Sequence, residues 1–235
     1  VNMREALAVS SDVYFYTIGG GFKTQRGLGI KLIDDYLTRF GFSMLTGVDL
    51  LSEENGTIPT PLWKERTFDG EKWNIGDTYH TAIGQYGMQV TPLQTVRAVA
   101  AIANGGRLVE PHLRMRGTEL SQTGTPLNFS DSALQIVREG MRMAVTTGTG
   151  KGLLIPGLDI AAKTGTAELG TSKEKVNSWV IGFFPYTNPR YAFSVVMERG
   201  DSHNTIGGVF VMRQLFDWMN IYASEYTTGR VEESR

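Results

Sequence analysis

Apolar residues between Asn2 and Ile18 fall at mixed spacings that suit a buried helical segment, broken near Ser10-Ser11-Asp12 and stopped by Gly19, Gly20 and Gly21. From Ile30 to Phe40 the spacing predicts a second helix, with Leu32, Ile33, Tyr36, Leu37 and Phe40 on one face and Gly41 at its end. Residues 43 to 80 lack periodicity, and Pro59, Pro61, Gly70 and Gly76 among aromatics read as a long structured loop region. The next helix carries the clearest signals. Thr91 caps it, Pro92 takes the first position, Leu93, Val96, Val99, Ala100 and Ala103 form the inner face, and Gly105-Gly106 closes it. A further helix is expected from Ser130 to Val145, with Leu134, Val137, Met141 and Val145 on one side and Gly148 ending it.

The period then changes. Leu158 to Ala167, Ser178 to Pro185 and Tyr191 to Arg199 are short segments rich in β-branched or aromatic residues and bounded by turn formers. Asn188-Pro189 between the last two favours an antiparallel hairpin. Gly207-Gly208 opens a final helix expected to lay Val211, Leu215, Trp218 and Met219 across the sheet, and the charged tail from Arg230 is expected to fray. There is no internal repeat.

Composition narrows the function classes. With 235 residues, 41% apolar and 20% charged, the chain is globular and long enough for one domain with a real core. A net charge of −1 gives no reason to expect a nucleic-acid partner or a purely electrostatic membrane contact. The absence of cysteine excludes disulfides, thiolate metal sites and cysteine nucleophiles. His80, His112 and His203 are scattered without ligand spacing, so neither a metal nor another cofactor is expected. No apolar run approaches the roughly 20 residues of a membrane span.

The sharpest chemical signal is Lys163-Thr164-Gly165-Thr166 on a predicted strand. An ammonium, two hydroxyls and a backbone N–H there suit one anionic ligand. Period two puts Thr164 and Thr166 on the same face, and Gly165 between them lets a substrate backbone approach. The plain alternative is an exposed strand end. Ser10-Ser11-Asp12 is weaker alone, since Ser and Asp commonly serve as helix caps. Gly148-Thr149-Gly150-Lys151-Gly152 has the look of a phosphate loop, but Val145 and Gly152 stand where that motif needs Gly and a hydroxyl, so it reads as a turn after a helix. Trp63, Phe68, Trp73 and Tyr79 either line a groove or pin the loop region, the second being the ordinary role of buried aromatics. Glu168 follows the motif strand and is given no role.

Taken together, these motifs resemble those of serine penicillin-recognising enzymes, which combine Ser-x-x-Lys, Ser-x-Asn and Lys-Thr-Gly. The second and third stand here in family order as Ser10-Ser11-Asp12 and Lys163-Thr164-Gly165. Between them Trp73-Asn74-Ile75-Gly76-Asp77-Thr78, Ala82-Ile83-Gly84-Gln85, Val90-Thr91-Pro92-Leu93-Gln94 and Ala103-Asn104-Gly105-Gly106 resemble the core of class B penicillin-binding protein transpeptidase domains. Asp12, where many relatives have Asn, points to the penicillin-binding protein 2 type that serves cell elongation.

The resemblance implies an α+β fold, an antiparallel sheet flanked by helices as in the serine β-lactamases, and a peptidoglycan DD-transpeptidase that β-lactams acylate. It implies that Ser10 relays a proton towards the leaving amine and that Asp12 orients a lysine or binds the substrate amide. Lys163 attracts the terminal carboxylate, Thr164 and Thr166 donate hydroxyl hydrogen bonds to it, Gly165 admits the substrate backbone, and the Thr166 N–H forms half of an oxyanion hole.

The family's Ser-x-x-Lys is missing upstream of Ser10. The single literal match, Ser172-Lys173-Glu174-Lys175, lies after the Lys-Thr-Gly strand and reads as a solvated loop. Residues 1–229 are therefore expected to be the C-terminal portion of a transpeptidase domain, without its N-terminal strands and nucleophile helix, and residues 230–235 a tail. The expected partners are peptidoglycan stem peptides, β-lactam antibiotics, a membrane glycosyltransferase and the upstream half of the same domain. The expected location is extracytoplasmic, anchored through an upstream segment. A non-catalytic β-lactam or peptidoglycan sensor and a serine β-lactamase remain open as alternatives.

Overall fold

The structure is a computed structural model that describes residues 1–114, 124–170, 172–204 and 206–228. Helices α1 (Met3–Val9) and α2 (Asp12–Gly20) lead into a small hairpin of β1 (Gly21–Phe22) and β2 (Gln25–Arg26). Helices α3 (Gly29–Arg39), α4 (Pro61–Thr67), α5 (Ile75–Ala82) and α6 (Pro92–Ala103) follow, then the paired β3 (Arg107–Leu108) and β4 (Thr125–Pro126). Helix α7 (Asp131–Thr146) and a 3-10 turn at Lys151–Leu153 precede β5 (Ala161–Leu169), β6 (Lys175–Phe184) and β7 (Tyr191–Asp201), and α8 (Gly208–Tyr222) and α9 (Ser224–Thr228) end the described chain. Two compact units emerge: one holds Val1 and Ser11–Ser130, the other Asn2–Ser10 and everything from Asp131 onward. The tail beyond Arg230 lies outside the described residues.

In the first unit, α2 runs through Gly19 and Gly20 instead of stopping there. Helix α5 packs so closely that a Cβ at Gly19 would sit 2.4 Å from the Ala82 Cβ, and one at Gly20 would sit 2.2 Å from the Tyr79 ring. These glycines are contact points, and the stop is Gly21 at φ 85°. The aperiodic stretch from 43 to 80 also departs from expectation, because it contains α4 and α5. Both are short, and their start signals are local: Thr60 caps α4 ahead of Pro61, and Asn74 with Asp77 forms a capping box on α5.

Helix α3 buries Ile33 but leaves Leu32 and Tyr36 exposed, so its predicted face is narrower than drawn. Helix α6 is capped as predicted, yet its buried face is Gln94, Thr95, Ala98, Val99, Ala101 and Ala103. Leu93, Val96 and Ala100 are only half-buried. Gln94 points inward because its amide is satisfied: it donates to the Met44 and Asn55 carbonyls, and its oxygen accepts from the Thr91 N–H.

The aromatics of this unit do hold the loop region. Trp63 meets Phe68 and Tyr86 edge-on, Trp73 donates its indole N–H to Thr78 at 2.8 Å, and the Tyr79 hydroxyl donates to the Gly21 carbonyl at 2.9 Å. Beside them Lys64, only 4% exposed, reaches Asp77 at 2.8 Å. That hydrogen bond raises the Lys64 pKa. Burial pushes Asp77 upward, but Lys64 and the Asn74 N–H outweigh it and hold its carboxyl below the usual range.

In the second unit β5, β6 and β7 form one antiparallel sheet in that order, with Lys163 opposite Ile181, Thr164 opposite Val180 and Thr166 opposite Ser178. The hairpin predicted at Asn188-Pro189 joins β6 to β7, with Phe184 opposite Tyr191. Leu158 and Ile160, read as strand residues, are buried in the core just ahead of β5. Helix α7 buries Leu134, Met141 and Val145 of its predicted face and leaves Val137 half-buried, and α1 packs against it, tied by an Arg4–Glu139 ion pair.

Helix α8 covers the sheet with Met212 and Phe216, Phe216 meeting Phe184 and Phe193 edge-on at 5.0 and 5.6 Å. Its predicted inner face needs correction. Met219 packs on the core, but Val211, Leu215 and Trp218 are exposed, because apolar residues fill most of the helix surface outside a polar stripe at Arg213, Asp217 and Asn220, too wide an arc for spacing alone to select the buried side. The Ser172-Lys173 segment is the β5–β6 turn. Ser172 is exposed, and Lys173 pairs with Glu168 at 2.7 Å, which accounts for Glu168.

Candidate active site

Helix α1 ends at Ser10, whose backbone is left-handed at φ 55° and ψ 54°. A residue with a Cβ there costs about 1–2 kcal/mol relative to the right-handed form, which is why glycine usually holds such positions. The turn is nevertheless well tied, since the Ser10 N–H donates to the Ala6 and Leu7 carbonyls.

Strand β5 brings Lys163 to this turn from far along the chain. Its ammonium donates to the Ser10 Oγ at 2.8 Å and to the Thr164 carbonyl at 2.6 Å. A serine oxygen that accepts from an ammonium keeps its own proton available to donate. The pair is thus a cationic donor beside a polarised hydroxyl, open to solvent on the Ser10 side.

Thr164 and Thr166 share a face of β5 by the period of the strand, and Thr166 is exposed. A Cβ at Gly165 would meet only the Trp179 Cβ, at an ordinary 3.4 Å, so packing in this unit does not itself require glycine there. Strand β5 lies at one side of the sheet, with β6 its partner in the sheet order. Asp12 belongs to the other unit. It is the exposed first residue of α2, behind Ser11, whose Oγ caps that helix by accepting from the Tyr14 N–H at 3.4 Å. A carboxylate in a first turn also suits the helix dipole. Among the described residues no group of three or more His, Cys, Asp or Glu is arranged to hold a metal ion.

One residue at this site was missed from the sequence. The Thr149 hydroxyl lies 2.7 Å from that of Thr164, while its backbone N–H donates to the Ala8 carbonyl at 3.0 Å. The triplet Gly148-Thr149-Gly150 reads as a turn, and a turn it is. The signal of something more was a hydroxyl held between two glycines.

A family model described as the penicillin binding protein transpeptidase domain matches residues 1–211. The chain belongs to this family. Transpeptidase-domain relatives include the peptidoglycan D,D-transpeptidase MrdA of Acinetobacter baumannii, 34% identical over 222 residues, which cover 85% of this chain and 32% of that protein. MrdA of Escherichia coli K12 is 29% identical over 241 residues, 92% of this chain and 37% of that protein. Among solved structures, the penicillin-binding protein PBP2 of Helicobacter pylori in complex with MreC matches with a TM-score of 0.79 at 32% identity, covering 96% of this chain and 41% of that one. PBP2 of Pseudomonas aeruginosa in complex with WCK 5153 matches at 0.77 and 29% identity, covering 93% and 49%. The α+β architecture and its antiparallel sheet with flanking helices are those of this transpeptidase domain. The chain spans about a third of the length of the curated relatives it matches.

Proposed function

We propose that these residues are the C-terminal portion of a peptidoglycan DD-transpeptidase domain, and that the nucleophilic serine lies on a segment outside residues 1–235. The single observation that carries this reading is the 2.8 Å hydrogen bond from the Lys163 ammonium to Ser10, which joins two motifs 153 residues apart in the chain. The reaction is acyl transfer. A serine Oγ attacks the carbonyl of the D-Ala-D-Ala bond while a neighbouring lysine takes its proton. The C–N bond then breaks, and the departing D-Ala amine takes a proton from Ser10, which the protonated lysine replaces. A second stem's amine attacks the acyl carbonyl and gives up a proton, and the ester C–O bond breaks as the serine Oγ takes a proton back.

In this reading Lys163 attracts the terminal carboxylate, Thr164 and Thr166 donate hydroxyl protons to it, and Gly165 leaves room for the substrate backbone. The Thr166 N–H serves the oxyanion, a type of contact whose loss costs about 3–4 kcal/mol of transition-state stabilisation. Asp12 orients the lysine of the absent pair or binds the substrate amide. The parent acts on the outer side of the inner membrane in cell elongation, beside a membrane glycosyltransferase and held by a separate anchor. No helix among the described residues is long and apolar enough to cross a membrane.

Intact-mass spectrometry with a fluorescent penicillin tests the reading. The 25.9 kDa chain should form no covalent adduct, whereas a polypeptide extended upstream to include a Ser-x-x-Lys should acylate stoichiometrically. An adduct on the short chain would restore Ser172 as a nucleophile and defeat the proposal. An extended polypeptide that never acylates would favour a non-catalytic sensor, and rapid turnover of nitrocefin would make it a β-lactamase.

A further inference from the structure

Thr149 touches both halves of the Ser10–Lys163–Thr164 cluster, through different atoms. Its N–H fills the Ala8 carbonyl, one of the last carbonyls of α1 and thus an orphan acceptor two residues before Ser10. Its hydroxyl meets Thr164 on β5. The neighbouring glycine makes the first contact possible: a Cβ at Gly148 would lie 2.0 Å from the Ala8 oxygen, so no other residue lets the loop approach α1 this closely. The Gly150 N–H in turn anchors the loop to the Ala144 carbonyl at 2.9 Å. All of these groups lie within one compact unit.

We propose that Thr149 is a positioning residue for carboxylate recognition: its backbone fixes the end of α1 at Ser10, and its hydroxyl sets the rotamer of Thr164 and directs the Thr164 proton to an anionic ligand. The inference rests on the transpeptidase reading above. An anion can only accept, so a carboxylate at Thr164 takes the Thr164 proton. The Thr164 oxygen is then left to accept, and Thr149 is the donor in reach. The hydrogen bonds run Thr149 to Thr164 to carboxylate, each polarising the next. Without a ligand either hydroxyl can donate, so the pair is ready for the anion without being committed.

Two substitutions separate this from simple loop packing. Thr149→Val keeps the branched shape and the N–H to Ala8 but removes the hydroxyl; Thr149→Ser keeps the hydroxyl. The 235-residue chain is titrated by NMR with an N-acylated D-Ala-D-Ala dipeptide and with its C-terminal amide, and three-bond couplings report the Thr164 χ1. The wild type should prefer the acid. T149V should lose about fivefold to tenfold of acid affinity, the weight of one hydrogen bond, with amide affinity unchanged and Thr164 averaging between rotamers. T149S should stay within about twofold of the wild type by the same reckoning. A T149V chain with a fixed Thr164 rotamer and full preference for the acid overturns the role given to Thr149. A wild type that treats acid and amide alike sinks the transpeptidase reading instead, and with it the ligand half of the inference, while the couplings still decide whether Thr149 sets Thr164.

Discussion

Lys163→Met separates what the ammonium does for the fold from what it does for a ligand. In the fold, Lys163 gives hydrogen bonds to the Ser10 Oγ and the Thr164 carbonyl. Ser10 is exposed and Thr164 half-buried, so water can replace much of what both acceptors lose. Methionine has a similar length and keeps the packing of the stem. The stability cost is therefore about 1 kcal/mol or less, a melting shift of no more than about 4 °C in a chain of this size.

The ligand term is larger. A carboxylate about 4 Å from the ammonium gains about 1 kcal/mol in bulk water and about 4 kcal/mol at the effective dielectric of about 20 found near protein surfaces. A half-exposed site lies between these limits, so acid affinity should fall between about fivefold and about 10³-fold, with amide affinity almost unchanged. The acid preference of the wild type should also shrink as salt is raised, because the attraction is screened. The assay is the acid and amide titration at two ionic strengths beside a thermal melt. Unchanged acid affinity, or a melting drop beyond about 10 °C, would refute this division of labour for Lys163.

The strain at Ser10 gives a second test. Ser10→Ala and Ser10→Gly both remove the partner of Lys163, but only glycine relieves the left-handed backbone at φ 55°. Ser10→Gly should melt about 2–4 °C above Ser10→Ala, roughly 1 kcal/mol after the entropy cost of glycine is subtracted, and both should be inactive in the extended polypeptide. Equal melting points would remove the strain argument. The register of α8 gives a third. Phe216 is fully buried, so Phe216→Ala should cost about 3–5 kcal/mol and lower the melting point by about 6–20 °C. Trp218 is 52% exposed, so Trp218→Ala should cost below about 1 kcal/mol. The reverse order in thermal melts would restore the face drawn from spacing.

How much of this was legible follows from how each element is specified. Helix α7 and strands β5 to β7 were readable because each has one apolar side and marked ends. Helices α4 and α5 were not. They are too short for a period to show, and only Thr60-Pro61 and the Asn74–Asp77 box announce them. Helix α6 was found but turned, since Gln94 reads as polar until its carbonyl partners are known. Helix α8 was misplaced for the opposite reason, since its apolar arc is wide around the polar stripe at Arg213, Asp217 and Asn220.

The site divides in the same way. Ser10 and Lys163 stand out through the order of Ser10-Ser11-Asp12 and Lys163-Thr164-Gly165 along the chain and the family resemblance this carries; alone, a serine at a helix break is an ordinary cap and a lysine on a strand an ordinary exposed end. That the two meet follows from the resemblance, but the manner of their 2.8 Å contact was not legible, since it depends on α1 ending in a left-handed turn that serine does not favour. Thr149 shows the limit more sharply. A threonine in a glycine turn is ordinary by composition, and its weight comes wholly from the Ala8 carbonyl on one side and the Thr164 hydroxyl on the other. Chemistry that resides in a side chain can be read from sequence, whereas chemistry that resides in the relation between two loops needs the fold. A strained Ser10 held on one side by Lys163, with the carbonyl of Ala8 pinned by Thr149, belongs to the second kind. The same left-handed backbone both caps α1, through the Ser10 N–H to the Ala6 and Leu7 carbonyls, and carries the Ser10 hydroxyl to Lys163, so the helix end and the site share one strained residue.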